Sequence, residues 1–478
     1  MPANDGDFLP DRLGKEQKRS SRVPILAVIL VAVLMLCAIA GLMIQVVNNR
    51  EPHPSIPVRT SAGMLYATHS PISIVGNGGF VNASGVVWGS GTAADPYIIT
   101  DWDISPSVED GILIRDTDAH FIVRNCYVHD GAFGGISLSN CVNGSLTNNR
   151  CLLSGSGIVL DESSNNTLSD NNCLYDGGGI VLGSSSNNNI LIDNNCSSNG
   201  YDGIFLSSSS NNLLSNNNCS LNVVGAIELR SSNNNTLINN DCLHGGGIAL
   251  VYSSNNTLSD NNCSSNNLMG IYLGSSSNNT LINNNCSLND FAGIDLLLSN
   301  NNTLVNNACS SNNRYGIYLE ASGNNNEISR NLVSNNAGYG VDILSNSNGP
   351  SGSNNRIWNN TFIGNNGATD TYVASHAQAF DGGTHNWWNS TNGYGNWWSD
   401  WQSPDIVRPY GIVDLPYKIS GRADVGSRDY YPLTTMLQEP HTGIMLFVAI
   451  AFVVAIVVVI VFVVAIVLIR EARRRKAQ

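Results

Sequence analysis

Nine cysteines, Cys126, Cys151, Cys173, Cys196, Cys219, Cys242, Cys263, Cys286 and Cys309, stand 21 to 25 residues apart along the chain. From Cys151 onward each sits in a block patterned on Gly-Ile-x-Leu, then Ser-Ser-Asn-Asn-Thr-Leu, then Asn-Asn-Cys-Ser. A fixed period of this size means one supersecondary unit copied and stacked, which settles the architecture ahead of any other argument.

The apolar residue of Gly-Ile-x-Leu recurs at Ile112, Ile136, Ile158, Ile180, Ile204, Ile227, Ile248, Ile271, Ile294, Ile317 and Val341, in steps of 21 to 24 residues. Within each coil apolar and polar positions alternate over short runs bounded by Ser, Asn and Gly, which is the strand signal. Helical solenoids need repeats of about 33 residues or more and long stretches of 3.6-residue periodicity. Three short strands and three turns per repeat make one rung of a parallel β-helix, and rungs stack about 4.8 Å apart. Ten steps give roughly 48 Å of stack. The expected fold is all-β, a parallel β-helix of about 11 coils of 21–24 residues, right-handed as the default for coils of this size and shape, and flanked by two transmembrane helices.

Stacking accounts for the composition. Ile, Leu and Cys form interior ladders, while Asn at turns such as Asn165-Asn166, Asn255-Asn256 and Asn278-Asn279 tolerates left-handed backbone. Repeated from rung to rung, the amides satisfy one another in rows. Gly225 stands one place early, with Ala226 at the usual glycine site, so a local irregularity is expected there.

Two apolar runs frame the repeats. Pro24 to Val47 follows a tail carrying Lys15, Lys18, Arg19 and Arg22, and Ile444 to Ile469 runs into Arg470, Arg473, Arg474, Arg475 and Lys476. Each is long enough to cross a bilayer, which takes about 20 residues as a helix. Positive flanks stay cytoplasmic, so both termini are expected inside and the β-helix on the extracytoplasmic side of the cell membrane. A cleaved signal peptide ending near Ala38-Ile39-Ala40 is the rival reading of the first run. The expected layout is a cytoplasmic tail over 1–22, a transmembrane helix or signal anchor over 23–47 and a proline-containing stalk over 48–60. An N-terminal cap over 61–110, repeats over 111–366 and a C-terminal cap over 367–437 follow. A transmembrane helix over 444–469 and a basic tail over 470–478 complete it.

The tails carry +1 and +4, so the chain's −13 leaves −18 on the part between them, whose only lysine is Lys418. Such a surface repels nucleic acid and favours cations, cationic partners or solubility.

These residues resemble the NosD-like β-helix proteins, also called the carbohydrate-binding and sugar-hydrolysis type, common on archaeal cell surfaces. The resemblance runs from about Pro71 to Leu433. It rests on the segment Gly89 to Ile104, on the coils, and on the closing patterns Gly395 to Asp400, Pro416 to Ile419 and Asp429 to Leu433. It implies the β-helix and, through the family's eponymous copper-site maturation factor, an accessory role in copper handling as one alternative. Fold analogy supplies no chemistry by itself.

Soft thiolates in a row suit copper(I). Against this, each ladder cysteine occupies an inward slot, where a thiol behaves as a small apolar residue, and stacked parallel side chains are poorly set for disulfides. Cys141 lies off the ladder. His120 and His129 are near each other, while His53, His69, His244, His376, His385 and His441 are scattered. Asp400, Asp405, Asp414, Asp424 and Asp429 give the C-terminal segment oxygen ligands of the Ca²⁺ kind, without a spaced calcium motif. Trp387, Trp388, Trp397, Trp398 and Trp401 plug the last rung or, alternatively, present an aromatic platform. No cofactor is required by the sequence, and Ca²⁺ and Cu remain alternatives.

The x of Gly-Ile-x-Leu points outward and lines one long face: Ser137, Val159, Val181, Phe205, Glu228, Ala249, Tyr272, Asp295, Tyr318 and Asp342, with Arg230 and Glu320 beside it. Asp295 and Asp342 stand two rungs apart, roughly 10 Å. Tyr272, Tyr318 and Phe205 are the expected binding residues. The leading expectation is a non-catalytic binder of envelope glycan or of a neighbouring surface protein. The enzymatic alternative, a polysaccharide hydrolase, lyase or epimerase, would use Asp295, Asp342 and Glu320 as its acid and base groups. Thirteen glycosylation sequons occur, many because the turn reads Asn-Asn-Thr; inward amides are closed to modification and outer ones open.

Overall fold

Alternation puts Ile158 and Leu160 inside and Val159 outside, and every coil repeats the choice. The computed structural model describes residues 66–321, 323–344, 352–401, 411–421 and 427–436. The two apolar runs, both basic tails, the stalk, His53, His441, Asp405 and Asp424 lie outside the described residues. Among the described residues no helix is long and apolar enough to cross a membrane.

Three columns of strands wind around one core. The first is a 14-stranded parallel sheet: Ile72–Val75, the eleven repeat strands from Ile112–Thr117 to Val341–Ile343, then Ala379–Asp381 and Ser420–Gly421. The second holds 13 strands from Val86–Trp88 to Arg356–Trp358. The third has five strands at one end and four at the other. Single bridges, Asn195↔Asn218↔Asp241↔Asn262↔Asn285, join them. Asn and Ser flank most cysteines there, and their low strand propensity reduces this column to bridges.

Register is exact where the core demands it. Ile136, Ile158, Ile180 and Ile204 stand above one another, as do Ile271, Ile294, Ile317 and Val341. A one-residue slip would turn each apolar set to solvent. The register also survives Ala226: the irregularity is taken up by the neighbouring coil, where the Gly247 carbonyl accepts from both the Ala226 and the Ile227 amides.

The two cap segments differ from expectation. Residues 61–110 already contribute Ile72–Val75, Tyr97–Thr100 and Trp102–Ile104 to the three columns, and residues 367–437 contribute Ala379–Asp381, Trp397–Trp398 and Ser420–Gly421. Strand pairing needs backbone and an inward apolar set, not the Asn-rich spelling of the turns, so coils continue where the written period stops. The antiparallel strand Val86–Trp88 then covers an edge of Tyr97–Thr100. At the far end the rings of Phe362, Trp398 and Tyr417 stack at 4.2 and 3.9 Å with Trp388 beside them, which makes these tryptophans a plug. Trp387 stays exposed under Arg356.

Polar ladders line the corners. One runs Asn149, Asn171, Asn194, Asn217, Asn240, Asn261, Asn284 and onward: each Oδ1 accepts a main-chain amide of the preceding coil, and each Nδ2 donates to the next Oδ1. A second begins Asn166, Asn189, Asn212, Asn235, Asn256 and Asn279. Serines from Ser163 to Ser299 form a third. Buried turns thus keep their main-chain groups paired, as they must. The outer member of each turn pair, such as Asn165, Asn255 or Asn278, takes the left-handed backbone.

All ten described cysteines are buried and unpaired in disulfides. Burial pushes the Cys126 thiol up to about 12 and the Cys141 thiol to about 11. From Cys173 to Cys286 burial again raises the thiols, helped in most by contacts between successive sulfurs. A protonated, inaccessible thiol does not react. Native protein is therefore expected to leave these ten cysteines unlabelled by a maleimide, with stoichiometric labelling after unfolding. Fast native labelling would show that the ladder is not closed.

Candidate functional site

The outward column of the 14-stranded sheet brings together what the spacing suggested. Tyr272, Asp295, Tyr318, Asp342 and Phe380 stand in consecutive register, one per rung. Glu320 lies beside the column on the strand Tyr315–Glu320. Phe205 belongs to the same column but stands three rungs below Tyr272, with the Arg230 guanidinium 5.7 Å over its ring and Glu228 holding that arginine. The structure does not join Phe205 to the cluster.

Aromatic residues that the repeat pattern did not single out complete the site. Phe291 and Tyr339 come from the turns leading into their strands, and Tyr315 opens the strand between them. The Tyr315 ring stacks on Tyr318 at 4.6 Å, Phe291 meets both rings edge-on at 5.7 and 5.8 Å, and Tyr339 packs against Phe380 at 5.4 Å. The Arg314 guanidinium sits 5.5 Å over Phe291. The signal was present in the sequence: an aromatic residue within two positions before the strand glycine in three consecutive coils.

This packing corrects one expectation. An outward position in a β-helix is ordinarily solvated, yet Asp295 is 3 % exposed, Asp342 5 % and Tyr318 7 %. Rings from the entering turns lie against the column, so an outward residue there is not an exposed one. One oxygen of each carboxyl, Oδ1 of Asp295 and Oδ1 of Asp342, is buried without a hydrogen-bond partner. Burial raises both carboxyls to about 7, and Glu320 adds to the rise at Asp295. Burial, then the negative charge of Glu320 and Asp342, pushes the Tyr318 hydroxyl up; burial and Asp295 do the same at Tyr272. Near neutrality the two acids are poised to give or take a proton, a property concentrated at functional sites.

The closing segment offers less. Asp429 is buried and accepts from the Trp398 indole, the Asn396 amide and the Tyr431 amide, and Asp400 accepts from Gln378 and Tyr417. Their oxygens close the plug.

The sequence matches the family described as periplasmic copper-binding protein (NosD) over residues 70–245 and 242–403. The chain belongs to the NosD family. No curated protein matches it. Among solved structures it is similar to the periplasmic alginate epimerase AlgG, with 17% identity over 62% of this chain and 84% of that one, at a TM-score of 0.46. It is also similar to the A-module of the Azotobacter vinelandii mannuronan C-5 epimerase AlgE4, with 15% identity over 60% and 90% and a TM-score of 0.45.

The family's description raises copper, and the described residues do not fit a resident ion. Among them no three His, Cys, Asp or Glu side chains converge to hold a metal. The soft donors are the buried thiols, held protonated inside the helix. His129 does lie between Asp103 and Asp130, but with one ring nitrogen bonded to each carboxylate.

Proposed function

We propose that this NosD-family chain is a membrane-anchored extracytoplasmic β-helix that binds a saccharide of the cell envelope on the Tyr272–Phe380 face, without turning it over. The observation that carries the reading is the pair of buried carboxyl oxygens without partners beneath a patch of aromatic rings. Sugar hydroxyls supply the donors those oxygens lack. Sugar C–H faces suit the flat apolar surfaces of Tyr315, Tyr318 and Phe291. The two apolar runs supply the anchors, and the charge of −18 between the tails argues against nucleic acid as a partner.

Both acids are sealed at 3–5 % exposure, so either reading requires the rings to move before a sugar reaches them; binding asks only for that contact, whereas hydrolysis also needs an aligned attacking group. The enzymatic reading is supported by two carboxyls held near 7 at a separation of roughly two rungs, about 10 Å. One experiment separates the two. Full-length protein is incubated with envelope and acidic polysaccharides, and both retention and the mass of the sugar are measured. Binding with unchanged polysaccharide is expected, and Tyr318→Ala should weaken it at least tenfold. Shortened or unsaturated products, lost in Asp295→Asn and Asp342→Asn, would make the protein an enzyme; no retention at all would remove the saccharide reading.

A further inference from the structure

Two sets of four among the thirteen sequons stand in rows, and the fold treats the two rows differently. One group, Asn195, Asn218, Asn262 and Asn285, reads Asn-Cys-Ser in the third column. Each of these amides donates its Nδ2 to the side chain one rung below: Asn195 to Asn172 at 3.1 Å, Asn218 to Asn195 at 3.2 Å, Asn262 to Asp241 at 3.4 Å and Asn285 to Asn262 at 3.0 Å. Their cysteines are the buried ladder. Modification would break that hydrogen-bonded row.

Four of the six Asn-Asn-Thr sequons stand on consecutive rungs at the corner joining the 14- and 13-stranded sheets. Asn234, Asn255, Asn278 and Asn301 are exposed and left-handed, with φ of 57°, 59°, 58° and 56°. The following asparagines, Asn235, Asn256, Asn279 and Asn302, turn inward and carry the ladder. The outer amide is thereby relieved of structural duty. Thr236, Thr257, Thr280 and Thr303 are paired in register on consecutive rungs, so the four acceptors form a file about 4.8 Å apart. This file runs along the side of the strand column that carries Tyr272 and Asp295.

We infer that Asn234, Asn255, Asn278 and Asn301 form the chain's N-glycan acceptor row, and that the Asn-Cys-Ser row stays unmodified. The donor is a polyprenyl-phosphate-linked oligosaccharide on the extracytoplasmic face. The amide Nδ2 bonds the anomeric carbon of the sugar, the lipid phosphate leaves with the bonding pair, and the amide proton passes to the transferase's base. The inference rests on the extracytoplasmic placement proposed above and is independent of saccharide binding at the aromatic face.

Full-length protein from membranes of the source organism would be digested and its peptides weighed with and without chemical deglycosylation. Saccharide adducts are expected on peptides of the Asn-Asn-Thr row and absent from Asn195, Asn218, Asn262 and Asn285. The double variant Asn255→Gln, Asn278→Gln should lose saccharide mass while keeping its melting temperature within a few degrees. Adducts on the Asn-Cys-Ser row, or unmodified peptides throughout, would overturn the assignment. An impermeant amine reagent on intact cells distinguishes the two ways of failing, since exposed Lys418 is the only lysine between the apolar runs. Labelled Lys418 with an unmodified row refutes the row alone, and unlabelled Lys418 refutes the extracytoplasmic placement and the row together.

Discussion

Thermal stability of the β-helix is expected to fall as pH rises from about 4 to about 7 and then to level off. Asp176, Asp295 and Asp342 are each raised from 3.8 to about 7, chiefly by burial. Asp202 and Asp429 are raised to about 6. Between these values and 3.8 the folded chain holds protons that the unfolded chain has released, so unfolding becomes easier with each step up in pH. A shift of three units corresponds to about 4 kcal/mol per group. Three such groups make the expected loss on the order of 10 kcal/mol as an upper figure.

Asp176 shows the cause most plainly. It occupies a ladder position between Ser154 and Asn199, accepting the Ser154 amide on Oδ1 and donating its own amide to Asn199. Where Asn199 uses Nδ2 to reach the Cys173 carbonyl, Asp176 presents Oδ2, which is buried and has no partner. A proton on that oxygen restores the donor that the position requires. Asp176→Asn should therefore raise stability at pH 7.5 by a few kcal/mol and change little at pH 4.5. Asp295→Asn and Asp342→Asn should each flatten the same slope. Melting curves by circular dichroism between pH 4.5 and 8 provide the check; a flat or rising profile in the unsubstituted protein would show that these carboxyls are not desolvated.

Periodicity carried most of the fold into view. The eleven Gly-Ile-x-Leu strands, their register and the buried cysteines follow from alternation and from a period that admits one stacking. The limits of the stack did not, because strands such as Ile72–Val75 and Ala379–Asp381 keep the pairing while losing the turn spelling. At the candidate site, the column from Tyr272 to Asp342 was legible as a list of outward positions. Its closure was not. Whether Asp295 is wet or dry depends on where Phe291 and Tyr315 turn after leaving the corner, and neither residue belongs to the repeating positions. Asp176 was hidden for the opposite reason: the sequence shows an ordinary acidic residue in a turn, and only the ladder makes it a substitute for asparagine.

Cutting the asparagine ladder at its middle should cost more than any other single polar change in the coils. Asn261 accepts the main-chain amide and the Nδ2 of Asn240 on its Oδ1, and donates Nδ2 to the Leu237 carbonyl and to Asn284. Asn261→Ala leaves the Asn240 amide and the Leu237 carbonyl buried without those partners, at about 1–3 kcal/mol apiece, for a total of about 4 kcal/mol. Exposed Asn278 makes the control in protein made without glycosylation, since there Asn278→Ala loses the tolerance of a left-handed backbone, about 1 kcal/mol. Because each coil touches only its neighbours, the damage at Asn261 should also be local, and hydrogen exchange should quicken in the coils around Asn240 and Asn284 before it does near Asn149. Denaturant titration of the two variants measures the difference. Equal losses would mean that the amides merely fill space, whereas a gap of about 3 kcal/mol would assign the stability of the corner to the hydrogen-bonded row.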